Sequence, residues 1–218
     1  MNKKFKCIIF DLDGTLIDSG PDLLDSLNHV LISKKLQPIS KSVIGNLVGG
    51  GAEAMIRKGF KYLKKELEEK ELPSLIMNFI KYYSDNCTKK TKLYPNVRET
   101  LSYLREKNLM ICLCTNKRQK LAEKILNDFK VSFLFDFILG SQKGMLLKPN
   151  IEMPKKCLER LNVKPENSIF VGDSNNDLIP AKKLGVFSAF VKYGYGNIKD
   201  IEYMDVEIEN IIDLKKII

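Results

Sequence analysis

Short apolar runs that alternate with segments of helical period constrain the fold of this chain more than any other feature. The runs are rich in Ile, Val and Phe, and as predicted strands they cover residues 7–10, 110–114, 137–139, 168–171, 187–191 and 206–208. Helical periodicity lies between them, over residues 97–107, 118–129, 151–161 and 177–184. Continuously apolar strands that alternate with helices are typical of a parallel sheet covered on both faces. The sequence therefore predicts an α/β core with a doubly wound parallel sheet.

The interval between the first two predicted strands indicates an insertion. A crossover between parallel strands needs only a dozen or more residues, whereas this interval runs from residue 11 to residue 109. Its pattern is helical over residues 20–35, 40–47, 52–68 and 72–88, and three consecutive glycines at 49–51 separate the second helix from the third. We expect a core made of residues 1–17 and 93–218, with a small all-helical cap domain at residues 18–92.

The charge of the chain favours small anionic ligands over nucleic acid. The formal net charge is +9, but the densest charged stretch, residues 61–71, carries four lysines and four glutamates that cancel. Such a stretch is typical of a solvated helix face. We expect no nucleic-acid partner, and a mild positive field that attracts anionic substrates.

The apolar segments also bear on the compartment. None approaches the roughly 20 apolar residues of a membrane span, and the apolar segment after Lys6 is too short for a signal peptide. The five cysteines are odd in number, which favours reduced, buried thiols over a disulfide framework. We expect a cytoplasmic protein without a membrane partner, either a monomer or a homodimer.

Polar side chains follow the predicted strands at the points where these end. They are Asp11 and Asp13 after the first strand, Thr115 and Asn116 after the second, Lys148 after the third, and Asp173 and Asp177 after the fourth. The carboxyl ends of parallel strands meet at one edge of a sheet, where ligands bind. Several carboxylates repel one another unless a cation lies among them, and oxygen ligands without His or Cys suit Mg²⁺. The sequence predicts a Mg²⁺ site that accepts a phosphomonoester.

Four motifs at these strand ends resemble a known family. D-L-D-G-T at 11–15, C-T-N at 114–116, K-P at 148–149 and V-G-D-S-N-N-D at 171–177 resemble, in order and spacing, the motifs of phosphatases of the haloacid-dehalogenase superfamily. The resemblance spans nearly the whole chain. It implies a Rossmann-like core with a cap inserted after the first motif.

The resemblance also implies a role for each residue. Asp11 would be the nucleophile that becomes phosphorylated, and Asp13 the general acid and base. The dehalogenases of the superfamily lack the second acid, so its presence favours chemistry at phosphorus. The metal ligands would be Asp11, Asp13 through its carbonyl group, Asp173 and, directly or through water, Asp177. Thr115 and Asn116 would hold the phosphoryl group, and Lys148 would neutralise charge.

The cap resembles that of bacterial phosphoglycolate phosphatases. The similar segments are L-V-G-G-G-A-E-A-M-I-R-K-G-F at 47–60, Y-P-N-V-R-E-T-L at 94–101 and Y-G-Y-G at 193–196. In such a cap Gly49, Gly50 and Gly51 would bring backbone amides near the substrate, and Arg57 would either recognise a carboxylate or face solvent. The resemblance implies hydrolysis of 2-phosphoglycolate.

Other functions remain open at this point. The alternatives within the superfamily are a phosphatase for another small sugar phosphate and a phosphotransferase like β-phosphoglucomutase. A phospho-accepting receiver domain is a non-enzymatic alternative, but it gives no reason for the long insertion after the first strand.

Overall fold

A computed structural model describes residues 5–218, apart from the side chain of Asn46. The chain divides into two compact units, one made of Met1–Asp18 with Leu93–Ile218 and the other of Ser19–Lys92. The first unit is an α/β unit and the second is helical.

Within residues 5–218, eight strands form two sheets. The strands are β1 (Cys7–Phe10), β2 (Ile17–Asp18), β3 (Lys92–Leu93), β4 (Met110–Arg118), β5 (Phe137–Ser141), β6 (Ser168–Gly172), β7 (Phe187–Val191) and β8 (Val206–Ile208). Six of them form a sheet in the order β5-β4-β1-β6-β7-β8, in which all neighbouring strands are parallel. β2 and β3 form a separate sheet of two short strands.

The strand order shows where a ligand would bind in the α/β unit. From β1 the chain adds β4 and β5 on one side, and then returns to add β6, β7 and β8 on the other. The prediction of a doubly wound parallel sheet is therefore confirmed. In such sheets the crevice lies at the carboxyl edge where the direction of winding reverses, which here is beside β1.

Eight α-helices accompany the strands in the described part of the chain. They are α1 (Gly20–Ser33), α2 (Ile44–Leu47), α3 (Gly51–Tyr62), α4 (Leu72–Asn86), α5 (Val97–Glu106), α6 (Gln119–Asp128), α7 (Glu152–Leu161) and α8 (Asn175–Leu184). Short 3₁₀ helices occupy Lys41–Val43, Ser132–Leu134, Pro165–Asn167, Ile198–Asp200 and Ile211–Lys216. Within residues 5–218, no helix combines the length and the apolar character that a membrane crossing requires.

Apolar side chains of alternate strand residues pack one face of the sheet. Cys7 and Ile9 of β1 belong to the same buried cluster as Cys112 and Cys114 of β4, and Met153 of α7 packs into that cluster. This alternation follows from the two-residue period of a strand, which sends every second side chain to the same face.

Helix α3 and strand β4 are among the elements whose ends differ from the predicted ranges. Helix α3 ends at Tyr62 instead of residue 68, because Lys64 adopts a left-handed conformation with φ 53° and the amide of Lys65 bonds to the carbonyl of Phe60 at 2.9 Å. Strand β4 continues past Cys114 to Arg118, with a shift of register against β5 over this stretch. The extension carries additional polar residues to the carboxyl edge of the sheet.

Candidate active site

Three carboxylates meet at the carboxyl ends of β1 and β6. Asp11 directly follows β1, Asp173 directly follows β6, and Asp177 lies in the first turn of α8. One oxygen from each carboxylate lies within 4.8 Å of the others, and Asp173 and Asp177 are buried. Of the four predicted acidic residues, the structure thus brings together the carboxylates of Asp11, Asp173 and Asp177.

Burial and mutual repulsion raise the pKa values of two of these carboxyl groups. Burial raises the pKa of Asp11 to about 6, although the ammonium of Lys148 lowers it. Burial also raises the pKa of Asp173 to about 8, and the charges of Asp177 and Asp11 act in the same direction. A divalent cation would relieve this repulsion, and a donor set made only of carboxylate oxygens fits a hard ion such as Mg²⁺. The site can therefore hold a divalent metal.

Lys148 supplies a buried positive charge beside the acidic cluster. Its Nζ lies 2.9 Å from Oδ1 of Asp11 and 2.6 Å from Oδ1 of Asp177, and it donates to the carbonyl of Cys114 at 2.6 Å. Burial alone would lower the pKa of Lys148, but the carboxylates of Asp11 and Asp177 raise it above its ordinary value. Lys148 therefore stays charged at neutral pH.

Asn116 binds the backbone of the segment that carries Lys148. Its side-chain oxygen accepts a hydrogen bond from the amide of Lys148 at 2.9 Å, and its side-chain nitrogen donates to the Lys148 carbonyl at 2.8 Å. The hydroxyl of Thr115 is buried and accepts from the amide of Lys117 at 3.2 Å. Contact between these two side chains and a phosphoryl group remains a prediction.

Asp177 is fixed by local structure at the start of α8. Its Oδ2 accepts from the amide and the hydroxyl of Ser174, at 3.3 and 3.2 Å, and forms a capping box with this residue. A Cβ atom at Gly172 would lie 2.2 Å from the Cβ of Asp177. The strand must therefore end in glycine for Asp177 to occupy this position.

Asp13 forms an ion pair that the sequence analysis missed. The Nζ of Lys117 lies 2.7 and 2.8 Å from the two carboxylate oxygens of Asp13, and the Lys117 side chain is only 5% exposed. The turn after Asp13 depends on Gly14, which has a left-handed φ of 82°. The sequence signal for Lys117 was its place just beyond the strand end that carries Thr115 and Asn116.

Asp173 is held by a loop that follows β7. Its Oδ2 accepts hydrogen bonds from the amides of Tyr195 at 2.7 Å and Gly196 at 3.3 Å. In the sequence this loop is visible only as the Y-G-Y-G segment at 193–196, whose resemblance to other proteins does not indicate a contact with Asp173.

Gly50 and Arg57 belong to the helical unit. Gly50 precedes α3 with a left-handed φ of 80°. The guanidinium of Arg57 is partly exposed and binds both oxygens of Glu69, at 2.6 and 2.8 Å, as well as Glu53 at 2.9 Å. Arg57 is thus already paired with carboxylates of its own chain, and a role of either residue toward a substrate remains a prediction.

Comparisons with known proteins identify the family. A family model described as haloacid dehalogenase-like hydrolase matches residues 8–191. The phosphoglycolate phosphatase of Mannheimia succiniciproducens is 33% identical over 224 residues, with 100% of each chain covered, and that of Haemophilus influenzae is 35% identical over 199 residues, with 89% of each covered. A solved structure described as a predicted phosphoglycolate phosphatase from Haemophilus somnus 129pt has a TM-score of 0.89 and 33% identity, and the match covers 98% of each chain. The chain therefore belongs to the haloacid dehalogenase-like hydrolase family and is a phosphatase.

Proposed function

We propose that this phosphatase hydrolyses 2-phosphoglycolate through transient phosphorylation of Asp11, with Mg²⁺ bound by Asp11, the carbonyl of Asp13, Asp173 and Asp177. The observation that supports the proposal most is the position of Asp11. Its carboxylate lies within 4.8 Å of two other carboxylates and 2.9 Å from the ammonium of Lys148. A carboxylate beside a buried lysine, in an acidic cluster that can hold a divalent cation, suits attack on an anionic phosphoryl group.

The charges explain why both a cation and Lys148 are required. A carboxylate that approaches a phosphate dianion to ~4 Å meets a repulsion of roughly 8 kcal/mol at an effective dielectric constant of ~20, twice the value for unit charges. A bound Mg²⁺ supplies positive charge that offsets this repulsion and polarises the phosphoryl group. Lys148 adds a permanent positive charge on the side of Asp11 and Asp177.

In the first step an oxygen of Asp11 attacks phosphorus. A bond forms between phosphorus and the carboxylate oxygen, and the bond from phosphorus to the ester oxygen breaks with its electron pair passing to the leaving oxygen. Asp13, in its protonated form, gives its proton to that oxygen, so that the glycolate leaves as an alcohol. The product on the protein is a phosphorylated Asp11.

In the second step water restores the free enzyme. Asp13, now a carboxylate, takes a proton from a water molecule while the water oxygen attacks phosphorus. The bond between phosphorus and Asp11 breaks, and inorganic phosphate is released. The reaction returns both aspartates to their starting states.

Binding groups around the phosphoryl group and the leaving group complete the proposal. Thr115 and Asn116 would contact the phosphoryl oxygens, and the unit Ser19–Lys92 would act as the cap domain. In that unit the segment of Gly50 would offer backbone amides. Arg57 would bind the substrate carboxylate only after releasing Glu69. The names of the two relatives described above support 2-phosphoglycolate as the substrate.

A phosphate-release screen with purified protein tests the substrate. We expect Mg²⁺-dependent release from 2-phosphoglycolate at a higher kcat/KM than from sugar phosphates or pyrophosphate, with Asp11→Asn as the blank. Preference for a sugar phosphate would contradict the phosphoglycolate assignment but would leave the phosphatase class intact. An isomerised sugar phosphate in place of inorganic phosphate would point to a phosphotransferase like β-phosphoglucomutase.

The role of Asp13 is tested by Asp13→Asn. We expect kcat to fall by about 10²–10⁴-fold, the contribution typical of a general acid and base. A folded variant with the wild-type rate would rule the role out.

A further inference from the structure

We propose that the loop of residues 193–196 positions Asp173 for the metal, so that Gly194 and Gly196 set the affinity for the divalent ion. This inference rests on the proposed metal site. The loop follows β7 and carries the sequence Tyr-Gly-Tyr-Gly. We call it the 193–196 loop.

The hydrogen bonds of Asp173 come from the backbone of this loop. The amides of Tyr195 and Gly196 both donate to Oδ2, at 2.7 and 3.3 Å. Two amides on one oxygen restrict the rotation of the carboxylate. Such outer hydrogen bonds orient metal ligands and commonly contribute 10- to 100-fold to metal affinity.

Close approach of the loop to Asp173 depends on the absence of side chains at two positions. A Cβ atom at Gly194 would lie 2.3 Å from the Cβ of Asp173 and 2.5 Å from the carbonyl oxygen of Gly14. A Cβ atom at Gly196 would lie 1.7 Å from the carbonyl oxygen of Asp173. Neither glycine has a φ in the left-handed region, so the requirement is one of space and not of backbone conformation.

The tyrosines of the loop anchor it to the segment that follows β1. The hydroxyl of Tyr193 donates to the carbonyl of Thr15 at 2.8 Å, and the hydroxyl of Tyr195 donates to Asp18 at 2.7 Å. The ring of Tyr193 also packs against Tyr94, with centroids 4.5 Å apart. Because the loop is tied on both sides of Gly194, it cannot move away from Asp173 without breaking these contacts.

Gly194→Ala tests the inference by calorimetric titration of the metal-free protein with Mg²⁺. We expect the Kd for Mg²⁺ to rise by about tenfold or more, because the added methyl group displaces Asp173. Gly45→Ala is the matched control, since a Cβ atom there meets nothing within 4 Å. A Gly194→Ala protein that is folded and has the wild-type Kd would overturn the inference. Failure of the wild-type protein to bind Mg²⁺ would instead overturn the proposed function.

A second measurement uses the wild-type protein and does not depend on the folding of a variant. In an NMR titration with Mg²⁺, we expect the amide resonances of Tyr195 and Gly196 to shift with the Kd found by calorimetry, because both amides bond to a metal ligand. Amide resonances at these two positions that stay unchanged while Mg²⁺ binds would contradict the role of the loop.

Discussion

The ion pair between Lys117 and Asp13 connects a lysine with the carboxyl group that we propose as the general acid. Lys117 contacts both oxygens of that carboxylate, which fixes the plane of the group. A general acid must hold its proton within hydrogen-bond reach of the leaving oxygen, so a lysine that orients the group affects the rate without touching the phosphoryl group. We therefore regard Lys117 as a positioning residue.

Replacement of Lys117 by Met should lower kcat for 2-phosphoglycolate by about 10- to 100-fold, because Asp13 is no longer held in place. The loss should be much smaller with p-nitrophenyl phosphate, whose leaving group needs no proton. Steady-state rates with both substrates provide the comparison. Lys120→Met, at an exposed position three residues further along the chain, is the control. An equal loss with both substrates would contradict the positioning role.

Sequence alone could predict the aspartates of the site but not this lysine. Asp11, Asp173 and Asp177 stand out because each follows a recognisable apolar strand. Lys117 lies 104 residues from Asp13, and its place just beyond a predicted strand end does not indicate which carboxylate it would pair with. Its pairing depends on the neighbouring positions of β1 and β4, which only the folded sheet provides.

At the scale of elements, a buried carboxylate ties together the two ends of the helical unit. Asp22, in the first turn of α1, accepts hydrogen bonds from the amides of Lys90 and Thr91 and from the Thr91 hydroxyl, at 2.7–3.0 Å. Asp22 and Thr91 are both buried. A carboxylate that satisfies several buried donors costs more to remove than an exposed ion pair.

Asp22→Ala should lower the free energy of unfolding by roughly 2–4 kcal/mol, since the donors of Thr91 would be buried without a partner. Urea denaturation followed by circular dichroism measures this change. Asp25→Ala is the matched control, because Asp25 forms an exposed ion pair with the ammonium of Lys90 in the same region, and it should have a much smaller effect. Equal destabilisation by the two substitutions would show that the buried bonds of Asp22 contribute little.

The positions of helices and strands were predictable where the local sequence pattern determines them. The six strands of the main sheet follow from apolar runs, because a strand covered on both faces needs apolar residues throughout. The end of α3 was not predictable, since the helix-favouring lysines and glutamates after Tyr62 continue the pattern while Lys64 turns the backbone into the left-handed region. The pairing of Arg57 with Glu69 was also not predictable from the sequence, because it depends on the path of the chain after that turn.

For the whole molecule, the site should make stability depend on pH and metal together. The pKa of Asp173 in the folded protein, about 8, lies above the ordinary value of 3.8, so the folded state binds this proton more tightly than the unfolded chain does. The contribution of Asp173 to stability is therefore present at low pH and is lost as the pH rises from about 4 to about 8. Asparagine at this position does not ionise.

Without metal, Asp173→Asn should be more stable than the wild-type protein at pH 8.5, and this advantage should shrink as the pH falls toward 5. Thermal unfolding in the presence of EDTA measures both proteins across this range. With saturating Mg²⁺ the order should reverse, because only the wild-type protein keeps the full set of ligands. A difference between the two proteins that does not vary with pH would contradict the raised pKa.

The five cysteines should be unreactive in the folded protein. All five are buried, and burial raises the pKa of Cys7 to about 12, which leaves it a neutral thiol at pH 8. Titration with a thiol reagent should detect almost no thiol before denaturation and five afterwards. Rapid reaction of any thiol in the native protein would show that the core opens locally.

The two hydrogen bonds between the Asn116 side chain and the Lys148 backbone affect which insertions and deletions this enzyme tolerates. The two ends of the segment 116–148 are joined directly by the two hydrogen bonds between the Asn116 side chain and the Lys148 backbone. The ammonium of Lys148 adds a third hydrogen bond, to the carbonyl of Cys114. Insertions or deletions at the exposed turn of Lys143 and Gly144 would therefore leave the ammonium in register with its acceptors. The exposed surface between Asn116 and Lys148 can therefore vary in sequence and length while the position of the Lys148 ammonium is preserved.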